Sequence, residues 1–145
     1  MNYLTYRLSL AKLNRQRETL HKHYAKLIEA AEKAREHDKA RELDGEEYGE
    51  AQYIDEEVSL LVTRYLVSRA NKRFLPIPER EPNNGFWDTA YTMPNRSLLT
   101  NKGITEIRSV IRKDMKERLD LLIPWVPAIL GILGAVTGLI AVIKR

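Results

Sequence analysis

Residues 3–34, YLTYRLSLAKLNRQRETLHKHYAKLIEAAEKA, place apolar side chains at alternating spacings of three and four residues. Starting from Tyr3, nine of the ten positions in this register are apolar or tyrosine, and the positions between them are rich in Lys, Arg, Glu and Gln. This heptad pattern is typical of a coiled-coil seam, and it predicts one helix over residues 3–43. Arg17, the polar exception, either sets the register or lies at the seam edge with its charge in water. The central seam residues are Leu10, Leu13, Arg17, Leu20, Tyr24 and Leu27.

A second helix is predicted over residues 51–73, after a turn within LDGEEYGE at residues 43–50. Gly45 and Gly49 favour a helix end there, because glycine adopts a left-handed cap conformation without strain. A short connection between two amphipathic helices predicts an antiparallel hairpin. Because the second helix is shorter, it should cover only the distal half of the first helix. Residues 3–13 would then contact the third helix or another copy of the chain.

The linker at residues 74–100, FLPIPEREPNNGFWDTAYTMPNRSLLT, is interrupted by four prolines. Proline removes a backbone donor and restricts its neighbours, so extended and turn conformations are expected rather than a helix. Phe86, Trp87 and Tyr91 are concentrated in this otherwise polar stretch. They either dock against the helices or form an exposed motif that binds a protein partner.

A third helix is predicted to begin near Thr100, whose hydroxyl can cap its first turn. One face carries Ile104, Ile107, Ile111, Met115, Leu119 and Leu122, and the opposite face carries Arg108, Arg112, Lys113, Lys116 and Arg118. Such a basic amphipathic helix can lie on anionic lipid headgroups. Alternatively, its apolar face completes a three-helix bundle and its basic face is solvated.

The chain ends in the run LLIPWVPAILGILGAVTGLIAVI at residues 121–143, which is uncharged over 23 residues and is followed by Lys144 and Arg145. A spanning helix needs about 20 apolar residues, so this run is predicted to cross a membrane. Proline is tolerated in a first helical turn, so the span is expected to restart near Pro124. Trp125 would then lie at the depth of the lipid headgroups.

Basic residues near the run predict its orientation. Six lie within the twenty residues upstream and two lie downstream, so the N-terminal part should be cytoplasmic. The residues expected at the membrane interface are Trp125, Arg112, Lys113, Lys116, Arg118, Lys144 and Arg145. Small residues recur within the run and either let neighbouring spans pack closely or reflect the frequency of glycine in membrane helices. They are Gly131, Gly134, Ala135 and Gly138.

Charge alternates along the chain. Residues 43–58 carry seven acidic and no basic side chains, whereas residues 1–42 carry ten basic and six acidic ones. The acidic cluster lacks the alternating oxygen ligands of a calcium-binding loop, so it is interpreted as a solvated helix tip. Anionic lipid would repel this tip, and the sequence therefore suggests a hairpin that holds its acidic end away from the bilayer.

Catalytic patterns are scarce. The chain has no cysteine, no phosphate-binding glycine loop and no nucleophile elbow. His21 and His23 are two residues apart on a helix, so they point to different faces. We expect no enzyme, no cofactor and no metal site.

The segment LLTNKGITEIR, residues 98–108, is similar over six or seven residues to a segment that precedes a helix in winged-helix DNA-binding regulators. This resemblance implies DNA binding. No strand pattern follows the segment to form a wing, however, and it leads directly into the apolar run. We therefore expect membrane lipid, rather than nucleic acid, as a partner.

The expected fold is all-α, with four parts. They are a hairpin over residues 1–73, a Pro-rich aromatic linker over 74–100, a basic amphipathic helix over 101–120 and a transmembrane helix over 121–143. Two functions fit this expectation. The first is a tail-anchored, homo-oligomeric coiled-coil scaffold that presents a cytoplasmic domain to a protein partner. The second is a membrane-active effector of the toxin, lysis or pore type, whose spans assemble to perturb the bilayer.

Overall fold

A computed structural model describes residues 1–81, 84–125, 127, 130 and 131 of the chain. Its elements in chain order are α1 (Tyr3–Lys33), α2 (His37–Asn71), β1 (Trp87–Thr89), β2 (Ser97–Leu99) and α3 (Asn101–Leu122). Helices dominate the described residues, and the predicted helical hairpin is confirmed. The chain divides into two compact units, Met1–Arg108 and Ser109–Arg145. The hairpin and both strands belong to the first unit.

The seam of α1 faces α2. The side chain of Asn2 caps the start of α1, where its Oδ1 accepts a hydrogen bond from the Thr5 amide at 2.7 Å. Tyr24 and Ala31 are buried, whereas Arg17 and Leu27 are exposed. The ring of Tyr6 stacks on Tyr65 of α2 with a centroid distance of 4.1 Å. The remaining central seam residues, Leu10, Leu13 and Leu20, are half-buried.

The turn of the hairpin lies at residues 34–36, so its predicted position within residues 43–50 is wrong. The amides of Arg35 and Glu36 donate to the carbonyls of Glu32 and Ala31, each at 2.9 Å. Arg35 adopts a positive φ of 61°. This is the hydrogen-bond pattern of a Schellman cap, in which arginine occupies the position that glycine usually fills. A glycine-based prediction therefore places the turn too late.

Gly45 and Gly49 lie inside α2 rather than at its end. Glycine in a helix interior costs about 1 kcal/mol relative to alanine, and the packing of α2 along α1 outweighs this cost. Because α2 starts early, it also reaches the beginning of α1, where the Met1 amino group donates to Ser68 Oγ at 2.9 Å. The expectation that residues 3–13 lack cover from α2 is therefore also wrong.

The acidic cluster of residues 43–58 lies along α2 and not at the tip of the hairpin. Several of its carboxylates face α1. Arg17 and Asp55 form an ion pair at 3.3 Å, and His21 Nδ1 lies 2.6 Å from Glu47 Oε1. The Tyr24 hydroxyl donates to Glu50 Oε1 at 3.2 Å. The interpretation of this cluster as a solvated tip is corrected, because three of its carboxylates contact side chains of α1.

The linker contains a two-stranded antiparallel sheet, β1–β2, which was not predicted from the sequence; we call it the β-hairpin. Its register pairs Trp87 with Leu99, Asp88 with Leu98 and Thr89 with Ser97. Leu99 and Ala90 are buried. Strands of three residues are too short to produce a recognisable alternation of polar and apolar residues.

Helix α3 begins as predicted, with Thr100 Oγ1 accepting a hydrogen bond from the Gly103 amide at 3.2 Å. Its apolar face is covered over the first turns only: Ile107 and Ile111 are buried, whereas Leu119 is 56% exposed. Within the described residues, no helix combines the length and apolar character needed to cross a membrane. Most of the predicted span at residues 121–143 lies outside them.

Candidate interaction surface

The β-hairpin is attached to α2 through Thr63. This side chain is 5% exposed, and its hydroxyl oxygen accepts a hydrogen bond from the Leu99 amide at 3.0 Å. A buried amide without an acceptor is costly, so this bond holds β2 at a defined position on the helix.

We expect Thr63→Val to destabilise the protein by about 1–3 kcal/mol, because the Leu99 amide would lose its acceptor while remaining buried. Thr63→Ser keeps the hydroxyl and serves as the matched control, with an expected loss below about 1 kcal/mol for one methyl group. Urea denaturation of the full chain in a neutral detergent measures both. The chain has two tryptophans, Trp87 and Trp125. In a Trp125→Phe background, the fluorescence of Trp87 therefore reports on the β-hairpin alone. Equal effects of the two substitutions would contradict the role of the hydroxyl.

A second attachment runs through Glu56 of α2. One carboxylate oxygen accepts from the Tyr91 amide at 2.7 Å, and the other accepts from the Thr92 amide at 2.9 Å and from the Thr92 hydroxyl. The Thr92 hydroxyl, followed by the two amides, lowers the pKa of Glu56. The ionised form of Glu56 therefore holds the loop after β1 against α2.

This pKa shift predicts a pH dependence. Because the folded pKa of Glu56 lies below its unfolded value, its contribution is fully present above about pH 4.3 and is lost as the pH falls through the folded pKa. We expect hydrogen-exchange protection of the Tyr91 and Thr92 amides to fall in that acid range. Glu56→Gln should reduce this protection about tenfold at neutral pH and remove its dependence on pH. Glu57→Gln, at the next position, should leave it unchanged, and similar behaviour of the two variants would refute the attachment.

The start of α3 is packed tightly against the residue before β1. The Thr100 amide donates to the Phe86 carbonyl at 3.0 Å, and the Thr100 hydroxyl donates to the Gly85 carbonyl at 2.7 Å. Gly85 has a φ of 72°, which favours glycine. A Cβ added at Gly103 would lie 2.3 Å from the Phe86 carbonyl oxygen. This close approach requires glycine at position 103.

The three linker aromatics lie in different environments. Trp87 is half-buried, donates from Nε1 to the Pro78 carbonyl at 2.9 Å and is covered by the Arg80 guanidinium at 4.7 Å from the ring centroid. Phe86 is also half-buried, and Lys102 Nζ lies 4.4 Å from its ring centroid. Tyr91 is 82% exposed. Of the predicted partner motif, Tyr91 alone presents most of its ring to solvent.

A groove of about 580 Å³ runs between α1 and α2. Leu20 and Ile54 form part of its floor, and Tyr53 at its side is 45% exposed. Its rim is basic along α1 and carries Glu57 on α2. The other lining residues are Lys12, Arg15, Gln16, Thr19 and His23.

The predicted membrane-interface residues that the structure describes are exposed. Arg118 forms an ion pair with Asp114 at 2.9 Å, and Trp125 is 66% exposed. Arg112, Lys113 and Lys116 are also exposed. At Gly131, an added Cβ would meet no atom of the described residues within 4 Å. Gly134, Ala135, Gly138, Lys144 and Arg145 lie outside the described residues.

Within the part of the chain that the structure describes, no group of three or more His, Asp or Glu side chains is arranged to hold a metal ion. No family model, no curated protein and no solved structure matches this chain. The β-hairpin, the groove between α1 and α2 and the basic face of α3 are therefore interpreted from the contacts within this chain alone.

Glu56 and Thr63, which attach the β-hairpin to α2, were not predicted from the sequence. A threonine among the apolar residues of α2 signals a buried polar group that needs a partner. Glu56, in contrast, resembles its acidic neighbours in sequence. Its role follows from contacts across 35 and 36 residues.

Proposed function

We propose that this protein is a tail-anchored, single-pass membrane protein that acts as an oligomeric helical scaffold and presents its N-terminal unit to a protein partner in the cytoplasm. The uncharged run of 23 residues at 121–143 carries the proposal, because its length matches the hydrocarbon thickness of a bilayer.

Exposed apolar side chains at the start of this run support the anchor. Leu121, Leu122, Ile123 and Trp125 are 72%, 62%, 61% and 66% exposed. Consecutive large apolar side chains in water mark a surface that another apolar phase covers. Lipid acyl chains supply that phase, and the indole of Trp125 suits the headgroup region.

The basic residues of α3 support the orientation. Lys113 and Lys116 are exposed, and so are Arg112 and Arg118. A cluster of this kind next to a span is retained on the cytoplasmic side and is attracted to anionic lipid, with about 1 kcal/mol for each residue near the surface.

Membrane extraction tests the anchor. We expect the full chain to remain in the membrane pellet after washing with alkaline carbonate. Replacing Ile132 and Leu133 with arginine places two charges at the centre of the run, and this variant should move to the supernatant. Leu8→Arg is the matched control, since Leu8 is a 73% exposed leucine of α1, and its variant should stay in the pellet. A wild-type chain that washes into the supernatant refutes the anchor.

The scaffold requires a surface for self-association, and the groove between α1 and α2 suits it. Two copies related by a two-fold axis would bring the basic rim of one, Lys12 and Arg15, near Glu57 of the other. The apolar floor around Leu20 and Ile54 would then be removed from water. The seam of α1 is less suitable, because α2 of the same chain already covers much of it.

Site-specific crosslinking tests this surface, because the chain has no native cysteine. Tyr53→Cys in intact membranes should give a dimer with a short bifunctional thiol reagent. Arg41→Cys, at an exposed position of α2 outside the groove, should give little crosslinked dimer. Equal crosslinking at both positions, or none at Tyr53→Cys, contradicts self-association through the groove.

The membrane-active effector is the second candidate. The spacing of Gly131, Gly134, Ala135 and Gly138 favours it, since small residues allow spans to pack closely. Thr137 is the only hydroxyl within the run, whereas a water-filled pore requires a polar face. Membrane potential during induced expression separates the candidates, because a scaffold leaves it intact and an effector collapses it.

A further inference from the structure

A pocket distinct from the groove lies where α2 meets the β-hairpin and the segment before it. Its volume is about 340 Å³, near the lower end of the range for small-molecule sites. Arg64 comes from α2, Arg80 from the segment before β1, and Arg96 from the loop before β2. The other lining residues are Leu60, Thr63, Val67, Asn95 and Ser97.

The charge of this pocket is of one sign. Among the described residues, three guanidinium groups line it and no carboxylate does. In the described part of the chain, no hydrogen bond or ion pair involves the side chain of Arg64 or Arg96. Arg64, Arg80 and Arg96 are all exposed, so water screens part of their mutual repulsion, and a bound anion would relieve the rest.

The pocket also has defined walls. Arg80 covers the Trp87 ring, and Trp87 is itself held by its bond to the Pro78 carbonyl. The bond between Thr63 and the Leu99 amide holds β2, which begins at Ser97. These contacts position two of the three lining segments before any ligand arrives, which reduces the entropic cost of binding.

The lining groups suit phosphate. Arginine presents its N–H groups in a planar fork that matches two phosphate oxygens, and the Ser97 hydroxyl and Asn95 amide add neutral donors. The apolar side chains of Leu60 and Val67 can contact the organic part of a phosphate ester. We propose that this pocket binds a phosphate group, carried either by a soluble phosphate compound or by a lipid headgroup.

Titration of the full chain tests the proposal. Trp87 is the probe in a Trp125→Phe background in a neutral detergent, because Arg80 lies on its ring. Sodium pyrophosphate, added at ionic strength held constant with sodium chloride, should change the fluorescence in a saturable way. Arg64→Gln and Arg96→Gln should each weaken binding about tenfold, which corresponds to about 1.4 kcal/mol.

Two kinds of variant make this result specific. Arg64→Lys keeps the positive charge but lacks the planar guanidinium fork, so it should also weaken phosphate binding. If circular dichroism shows that Arg64→Gln does not fold, Arg64→Lys tests the role of Arg64 in its place. Arg7→Gln and Arg41→Gln remove one exposed charge each outside the pocket and should bind as the wild type does.

A second arm distinguishes the two sources of phosphate. The full chain is reconstituted in phosphatidylcholine vesicles with and without about one tenth phosphatidic acid, and Trp87 fluorescence is compared. Saturable binding of pyrophosphate in detergent, together with no effect of phosphatidic acid in the vesicles, supports a soluble ligand. A response that depends on phosphatidic acid and on Arg64 and Arg96 supports a lipid headgroup. The proposal is overturned if neither probe gives a saturable response, or if the Arg64 and Arg96 variants respond as the wild type does.

Discussion

Gly103→Ala is expected to destabilise the N-terminal unit by about 2–3 kcal/mol, although alanine is the better helix former. The added Cβ would lie 2.3 Å from the Phe86 carbonyl oxygen and 2.9 Å from Leu99 Cδ2. The first of these atoms belongs to the backbone and cannot move aside by changing a rotamer. Either α3 or the β-hairpin must shift, and the bonds between Thr100 and residues 85 and 86 would weaken.

Gly45→Ala and Gly49→Ala are the matched controls, because both glycines lie in α2 and an added Cβ at either position meets no described atom within 4 Å. We expect each control to stabilise the protein by about 0.5–1 kcal/mol. Urea denaturation of the full chain in a neutral detergent, followed through Trp87 in the Trp125→Phe background, gives the three values. Stabilisation by Gly103→Ala of the same size as in the controls would show that the contact with Phe86 is not close.

The helical hairpin was predictable because its signal is local and repeated. The alternating three- and four-residue spacing from Tyr3 recurs over several turns, so one misleading position such as Arg17 does not obscure it. The cap at Thr100 was predictable for a similar reason, since the hydroxyl acts on an amide three residues away.

The position of the hairpin turn was not predictable from residue preferences. Arg35 pays a conformational cost of about 1–2 kcal/mol for its left-handed backbone, while Gly45 and Gly49 remain helical. The left-handed conformation of Arg35 and the helical conformation of the two glycines both oppose local propensity. They result from the packing of α2 along the whole of α1, which includes the stack of Tyr6 on Tyr65 and depends on residues far apart in sequence.

The attachment of the β-hairpin was unpredictable for a different reason. The bond from Leu99 to Thr63 joins residues 36 positions apart, and nothing in the intervening sequence specifies the register. The candidate surface was therefore found in part only: the aromatic residues of the linker were identified, but Thr63 and Glu56 of α2, which hold β2 and the loop after β1, were not.

Ile107→Ala is expected to have the largest effect of the substitutions considered in the N-terminal unit. Ile107 lies on the predicted apolar face of α3 and has no solvent-exposed surface. Truncating a fully buried isoleucine to alanine removes its burial and leaves a cavity, at a cost of about 2–5 kcal/mol. The higher end applies where the surroundings cannot collapse, and the close approach of Gly103 to Phe86 limits the movement of α3.

Two variants calibrate this expectation through the same urea denaturation. Ile107→Val removes one methylene group and should cost about 0.5–1.5 kcal/mol. Ile104→Ala makes the same truncation at a half-buried position of the same helix, so its effect should be smaller than that of Ile107→Ala. If Ile104→Ala proves the more damaging of the two truncations, Ile107 is not at the centre of the packing that holds the start of α3. The apolar face of α3 would then contribute less to the N-terminal unit than its burial at Ile107 implies.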